Sequence, residues 1–438
     1  MDEHFQGGAT AIAEEELSAE LQNLPKKNYL SEDWTVVVLG FLIIFAIIGG
    51  LHIAAPHYKW TDSQSLSAVF SLENFQRLFI QFVFAFAVLV LGALLTGRKV
   101  KPYIYGFPLI FILTALALFF AGNATMEELG LEAVIFSLCI GLIVGNTMKI
   151  PVWLKEALSA ELLVKIGLVL LGTRIIFTDV LKAGSLGLIQ SLVVVLTVWY
   201  FAFWLSKKFK IDEELGLMLS SAVSICGVSA AIATSGAIEG NSKKLSYVVS
   251  MVLITAIPMM IFMPYIARYF GFSEEVTGAW IGGTIDTSGA VVASGSLVGE
   301  TALKISTIVK FSQNVLLGIA ALAISVYWTY TNNPAGQKPG VKPSVGVIWA
   351  RFPKFVLGFM AASLLFSFAL SADTVSAVKG DIKSIQGLWF ALAFTSIGLE
   401  TNFKELIKEN SKRPFWVFLI AQLFNILITL ALAFLLFG

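Results

Sequence analysis

Eleven long apolar runs, at about 34–52, 75–96, 103–121, 131–147, 160–176, 186–206, 246–270, 302–329, 351–370, 387–402 and 415–437, constrain this chain more than any motif does. Runs of this order match the roughly 20 residues a helix needs to cross a bilayer's hydrocarbon core. A chain that crosses lipid must satisfy its backbone polar groups internally, and repeated helices do so. The fold class that follows is an all-α polytopic membrane protein. Composition agrees, with 57% hydrophobic and 13% charged residues and a mean hydropathy of +0.82, far from soluble globular usage. Lys plus Arg (30) nearly cancels Asp plus Glu (29), so no nucleic-acid partner is expected. The lipid bilayer is the first partner.

Two segments, 214–239 and 276–299, are left over. Ser224-Ile225-Cys226-Gly227-Val228-Ser229-Ala230-Ala231-Ile232-Ala233-Thr234 aligns without a gap on Thr284-Ile285-Asp286-Thr287-Ser288-Gly289-Ala290-Val291-Val292-Ala293-Ser294. Both are small, hydroxyl-rich and broken by Gly. At membrane depth such breaks are tolerated where protein or a water-filled cavity surrounds them, and secondary transporters build midplane sites from paired, interrupted helices. Small residues that only let helices pack closely would give a similar pattern. Each segment is either a spanning broken helix or a re-entrant hairpin, whose arms of about eleven residues would reach roughly 16 Å, half a bilayer.

Loop charge favours hairpins. Lys26 and Lys27, then Arg98, Lys99 and Lys101, then Lys149 and Lys155, then Lys207, Lys208 and Lys210 fall in alternate connections. The positive-inside rule therefore places the N-terminus in the cytoplasm and the chain, multi-pass, in the inner (cytoplasmic) membrane. Hairpins also bring Lys243 and Lys244 inside, whereas spanning segments strand them outside. Residues 1–33, acidic and helical in pattern from Thr10 to Asn23, are expected to be a cytoplasmic amphipathic extension, without the basic region and short apolar core of a signal peptide. Residues 34–438 form the transport domain, as inverted repeats of roughly 34–207 and 214–438. A second internal match, Gly172–Lys182 on Gly398–Lys408, fits inverted topology, and generic helix ends fit it too.

The segments LVLLGTRIIF (168–177), SSAVSICGVSAAIAT (220–234), GGTIDTSGAVVASG (282–295), IVKFSQNVLLG (308–318) and LAFTSIGLETNF (392–403) resemble the YeiH-like bacterial membrane proteins, often labelled sulfate exporters. The resemblance runs over nearly all of 34–438. It implies an inverted-repeat secondary-transporter fold, of about eleven crossings plus two re-entrant or broken helices. It also implies a plan akin to bile-acid/sodium symporters and cation/proton antiporters, relatives that often form homodimers. Many members carry His-Glu where this chain has Asp286-Thr287, and a basic residue where it has Gln313; with these departures the sequence neither supports nor excludes the sulfate label.

Ionisable residues at membrane depth are costly and usually face a cavity or a partner. Asp286 is the candidate cation or proton carrier; the alternative is that it caps the returning half-helix at Ser288 or Gly289. Lys310, with Gln313 and Asn314 on the same helical face, suits an anion or neutralises Asp286. Lys165 has a stem long enough to snorkel to the interface. The expected binding site is Ser224, Cys226, Gly227 and Ser229 of the first break, Thr284, Asp286, Thr287, Ser288 and Gly289 of the second, with Lys310, Gln313 and Asn314. No catalytic residue, cofactor or metal is expected. His4, His52 and His57 lie at or before the outer end of the first run, Cys139 and Cys226 form no CxxC pair, and there is no GxxxxGK[ST] segment.

The expected function is secondary transport of a small, anionic solute by alternating access, coupled to Na+ or H+ or uniporting. The rival is a passive channel with a pore lined by the two small-polar segments. Single cysteines at Gly240 and Lys243 should react with a membrane-impermeant maleimide from the cytoplasmic side only. Reaction from outside would replace the hairpin with a spanning broken helix.

Overall fold

A computed structural model describes residues 29–128, 133–332, 346–401 and 412–438. The expected N-terminal helix and the second copy of the Gly172–Lys182 match fall largely outside them. Helices α1 (Glu32–Ile48), α2 (Ser63–Val69), α3 (Leu72–Thr96), α4 (Lys101–Ala121), α5 (Ala124–Glu128), α6 (Ala133–Thr147), α7 (Val152–Ala157), α8 (Ala160–Gly172) and α9 (Phe177–Lys208) precede the first small-polar segment. That segment consists of α10 (Glu213–Ser221), a π turn at Ala222–Cys226 and α11 (Val228–Ile238). After α12 (Ser242–Tyr269) comes the second, made of α13 (Glu274–Thr284) and α14 (Ser288–Val298). Then follow α15 (Glu300–Val315), α16 (Leu317–Asn332), α17 (Gly346–Arg351), α18 (Lys354–Leu364), α19 (Ala372–Glu400) and α20 (Lys412–Phe437).

By length and composition, seven described helices can cross a membrane: α3, α4, α9, α12, α15 with α16, α19 and α20. The runs at 34–52, 131–147, 160–176 and 351–370 form the shorter helices α1, α6, α8 and α18, outside these seven, and two of the seven spans differ in shape from their runs. The 302–329 run breaks at Leu316, between α15 and α16. The 387–402 run is only the inner part of α19, whose first half carries Asp373, Lys379, Asp381 and Lys383. There Asp381 lies 2.6 Å from His52 Nδ1 and Lys383 pairs with Glu300 at 2.8 Å, so two of the charges that an apolar-run search rejects meet partners.

Both small-polar segments are re-entrant hairpins. Asp212 caps α10 by accepting from Leu215 N–H. At the far end of the segment the chain returns to the same place: Asn241 N–H donates to the Glu214 carboxylate, and Lys244 Nζ pairs with Asp212 and Glu214. Burial raises the Asp212 carboxyl, but hydrogen bonds from Lys244 and Leu215 N–H outweigh it and hold the group below its usual range. The second hairpin closes the same way. Ser273 caps α13, and Glu274 Oε2 accepts from Thr301 N–H at 2.9 Å and Ala302 N–H at 3.3 Å. Between the two mouths runs α12, whose 28 residues extend roughly 42 Å at 1.5 Å per residue. The hairpins therefore enter from opposite ends, and broken spanning helices are ruled out.

The helices pack as two bundles. One joins α1, α4, α6, α8, α18 and α19; the other joins the hairpins with α9, α12, α15 and α20. Close approach sets the first: a Cβ on Gly141 would lie 2.4 Å from the Thr395 carbonyl oxygen, and one on Gly398 would lie 2.6 Å from the Leu138 carbonyl oxygen. Small residues let α6 and α19 touch backbone to backbone. Gly141→Val and Gly398→Val should each destabilise the protein by about 1–3 kcal/mol, the usual cost of overpacking. Gly380→Ala, where a Cβ meets nothing within 4 Å, should not. Thermal unfolding in detergent checks the contrast.

Candidate functional site

The hairpin tips meet. Gly227 has φ +60°, and a Cβ there would sit 2.7 Å from Val252 Cγ1 and 2.9 Å from Asp286 Cβ. Only glycine meets both demands, a left-handed backbone and contact with the other tip.

Each tip exposes carbonyls that its own helix no longer uses, and polar side chains from two crossing helices take them up. In the π turn, Val223 O accepts from Asn425 Nδ2 at 3.0 Å, Ser224 O from Gln313 Nε2 at 2.9 Å and Ile225 O from Lys310 Nζ at 2.8 Å. Single-turn π segments leave such groups free and often mark functional sites. On the second tip, Gly283 O accepts from the same Gln313 Nε2 at 3.3 Å, while Thr284 O accepts from Gln422 Nε2 at 3.0 Å and Asn425 Nδ2 at 3.3 Å. Gln313 on α15 and Asn425 on α20 thus each hold both hairpins. Thr429 Oγ1 donates to Asn425 Oδ1 at 2.8 Å and fixes that amide.

A cavity of about 530 Å³ opens in front of the tips. Cys226, Val228 and Ser229 of the first tip line it with Thr287, Ser288 and Gly289 of the second and Asn314. Thr287 caps α14 by accepting from Ala290 N–H at 3.3 Å. Gly227, the N-cap of α11, has no side chain to cap it, and Ala230 N–H bonds the Cys226 sulfur, so the leading N–H groups of Val228 and Ser229, residues that line the cavity, lie at the positive end of the helix dipole. The mouth lies beside the start of α1 and α8 and the end of α19. There Lys165 pairs with Glu32 and Asp33, both at 3.0 Å, and Glu161 at 3.3 Å, and Arg98 pairs with Glu32 at 2.8 Å. At the opposite end of the bundle, Glu300 joins Arg174 at 2.6 Å and Lys383 at 2.8 Å.

The twelve sequence-derived residues separate into two groups. Cys226, Ser229, Thr287, Ser288, Gly289 and Asn314 line the cavity. Ser224, Gly227, Thr284, Asp286, Lys310 and Gln313 lie behind it; Ser224, Thr284, Asp286, Lys310 and Gln313 are at most 2% exposed. One expectation needs correction. Asp286 is not the cap of α14, because Thr287 fills that position. Lys310 makes no direct ion pair with Asp286: its ammonium is held by the Ile225 carbonyl and Gln313 Oε1, Asp286 Oδ2 is buried without a hydrogen-bond partner, and the two opposite charges act on each other through space. Lys165 reaches the end where α1 and α8 begin, where Glu32, Asp33 and Glu161 hold its ammonium, and it lines the cavity mouth there. Sequence reasoning missed Gln422 and Asn425, although two amides three residues apart in the otherwise apolar α20 were a readable signal.

A family model described as conserved hypothetical protein 698 matches residues 105–417. The UPF0324 membrane protein RB9488 of Rhodopirellula baltica is 35% identical over 390 residues, covering 86% of this chain and 70% of its own length. The chain belongs to the UPF0324 family of membrane proteins. A relative from Nitratidesulfovibrio vulgaris is 37% identical, over 79% of this chain and 61% of that one. NE0724 of Nitrosomonas europaea is 27% identical, over 86% and 89%. The chain thus spans less than two thirds of the Nitratidesulfovibrio relative. No solved structure matches it.

Gln313→Leu and Asn425→Leu should each cost about 1–3 kcal/mol for every carbonyl left buried and unsatisfied. Their effects should be non-additive, because both side chains tie the same two tips. Leu423→Ala on the exposed side of α20, 56% exposed, should change little. Equal thermal shifts for all three would mean that the tips do not depend on these amides.

Proposed function

We propose that this protein is a secondary transporter that moves a small anionic solute across the cytoplasmic membrane by alternating access, with its N-terminus in the cytoplasm. The observation that carries the reading is the meeting of two re-entrant hairpins, entering from opposite ends, at the base of a cavity that opens beside α1 and α8. Positive-inside loop charge makes that end cytoplasmic, so the conformation is read as inward-open. The closed end is bridged by Arg174, Glu300 and Lys383, which link the two bundles.

Charge distribution supports an anion at the tips rather than at the mouth. Carboxylates Glu32, Asp33, Glu161 and Glu400 outnumber Lys165 and Lys354 around the entrance, so the entrance does not concentrate anions. Deeper in, the uncapped start of α11 and the Ser288–Gly289 turn offer backbone N–H groups, as helix N-termini do at anion sites. Lys310 stands one layer behind, bound to the Ile225 carbonyl.

Asp286 is the coupling group in this reading. An intramembrane carboxylate with an unpartnered oxygen, beside Gly227 at the tip contact, can exchange its charge by taking up a proton or a monovalent cation. A channel remains the rival class, and the buried Lys310, Gln313 and Asp286 behind the tips favour the carrier because they fill the path a pore would need.

Asp286→Asn should abolish the pH or Na+ dependence of anion counterflow in proteoliposomes while the protein elutes as a monodisperse species. Unchanged dependence would remove Asp286 from coupling. Unitary currents in planar bilayers would replace the carrier with a channel.

A further inference from the structure

Between the polar tips and the charged mouth, the cavity wall is hydrocarbon. Val164 on α8, Val228 and Ile232 on α11, Leu253 on α12, Leu317 on α16 and Ile397 on α19 line it. Both bundles contribute, so the apolar surface belongs to the cavity rather than to one helix. An inorganic anion at the tips would leave this wall against water, or would shed its own water beside groups that return no hydrogen bond, which is costly for a charge. A ligand with an apolar body uses both ends of the space.

Resting on the reading that an anion sits at the tips, we propose that the cavity binds an organic anion, a carboxylate or sulfonate on a short hydrocarbon body, in preference to inorganic sulfate. The acidic group lies against the uncapped first turn of α11 and the Ser288–Gly289 turn. Asn314 sits at the boundary between tip and wall. It is 6% exposed, its Nδ2 lies 3.2 Å from Ser288 Oγ, and its Oδ1 has no partner. The serine hydroxyl can accept or donate, so this amide can turn its NH2 toward the acidic group. The hydrocarbon body extends along Ile232, Leu317 and Ile397 toward the mouth. A volume of about 530 Å³ falls in the range of small-molecule sites, which are mostly apolar with a few placed polar groups.

The test is a homologous series, methanesulfonate to hexanesulfonate, compared with sulfate at matched ionic strength on the full chain in detergent. Dissociation constants come from concentration-dependent thermal stabilisation, since a ligand of the native state raises its unfolding temperature. Affinity should rise about fourfold per methylene until the wall is filled. Ile232→Ser and Leu253→Ser should flatten that slope while leaving methanesulfonate binding in place, which also separates cavity binding from partition into detergent. A flat series with sulfate bound as tightly as butanesulfonate would overturn the organic anion and leave an anion transporter. No stabilisation of monodisperse protein by any of these anions would overturn the anion site and this inference together. A steep series without counterflow in proteoliposomes would support the organic anion and overturn transport.

Discussion

Three successive carbonyls, at Val223, Ser224 and Ile225, are the point on which the site depends. A chain that turns back at mid-bilayer depth leaves backbone oxygens with no intrahelical donor, and lipid offers none. Here the donors are Asn425, Gln313 and Lys310, drawn from two helices that cross behind the tips. Because Gln313 and Asn425 also reach Gly283 and Thr284, one set of hydrogen bonds satisfies both turns and fixes their distance. Residues that look like ligands in sequence, Lys310 and Gln313 above all, act first as backbone partners. What remains free to bind a solute is the layer in front of them.

The two-bundle arrangement gives that layer its shape. Tips, α15 and α20 belong to one bundle, while Val164, Lys165, Ile397 and Glu400 belong to the other, so the cavity is a space between bodies rather than within one. Within each body, contacts are backbone-close, as Gly141 against Thr395 illustrates. Between the bodies, the closed end carries the ion pairs of Glu300 with Arg174 and Lys383, whose side chains are 10% and 60% exposed, and a hydrophobic core common to both bodies lies beside them. Exposed pairs contribute little each and weaken with salt.

Much of the fold was legible because it follows from the length of apolar runs and the placement of Lys and Arg. The hairpins were legible as an ungapped internal match, and loop charge chose them over spanning helices. Their tips were found by small residues and hydroxyls. Other features left no local trace. The first half of α19 reads as a loop because it carries four charges, of which Asp381 and Lys383 meet partners far away in sequence. The α14 cap passed from Asp286 to Thr287, a one-residue shift that only backbone geometry decides. Gln422 and Asn425 were overlooked because α20 is otherwise so apolar that it resembled a generic final span.

The spacing of the tip partners also bears on how the protein is made. Val223 and Asn425 are 202 positions apart, so the first hairpin leaves the ribosome long before the side chain that satisfies it. At about 5–20 residues per second, that interval is roughly 10 to 40 s. During it, the Val223 carbonyl must rely on water or on the insertion machinery, and the second hairpin reaches the membrane before α20 as well. The first tip is therefore complete only once α20 is in place.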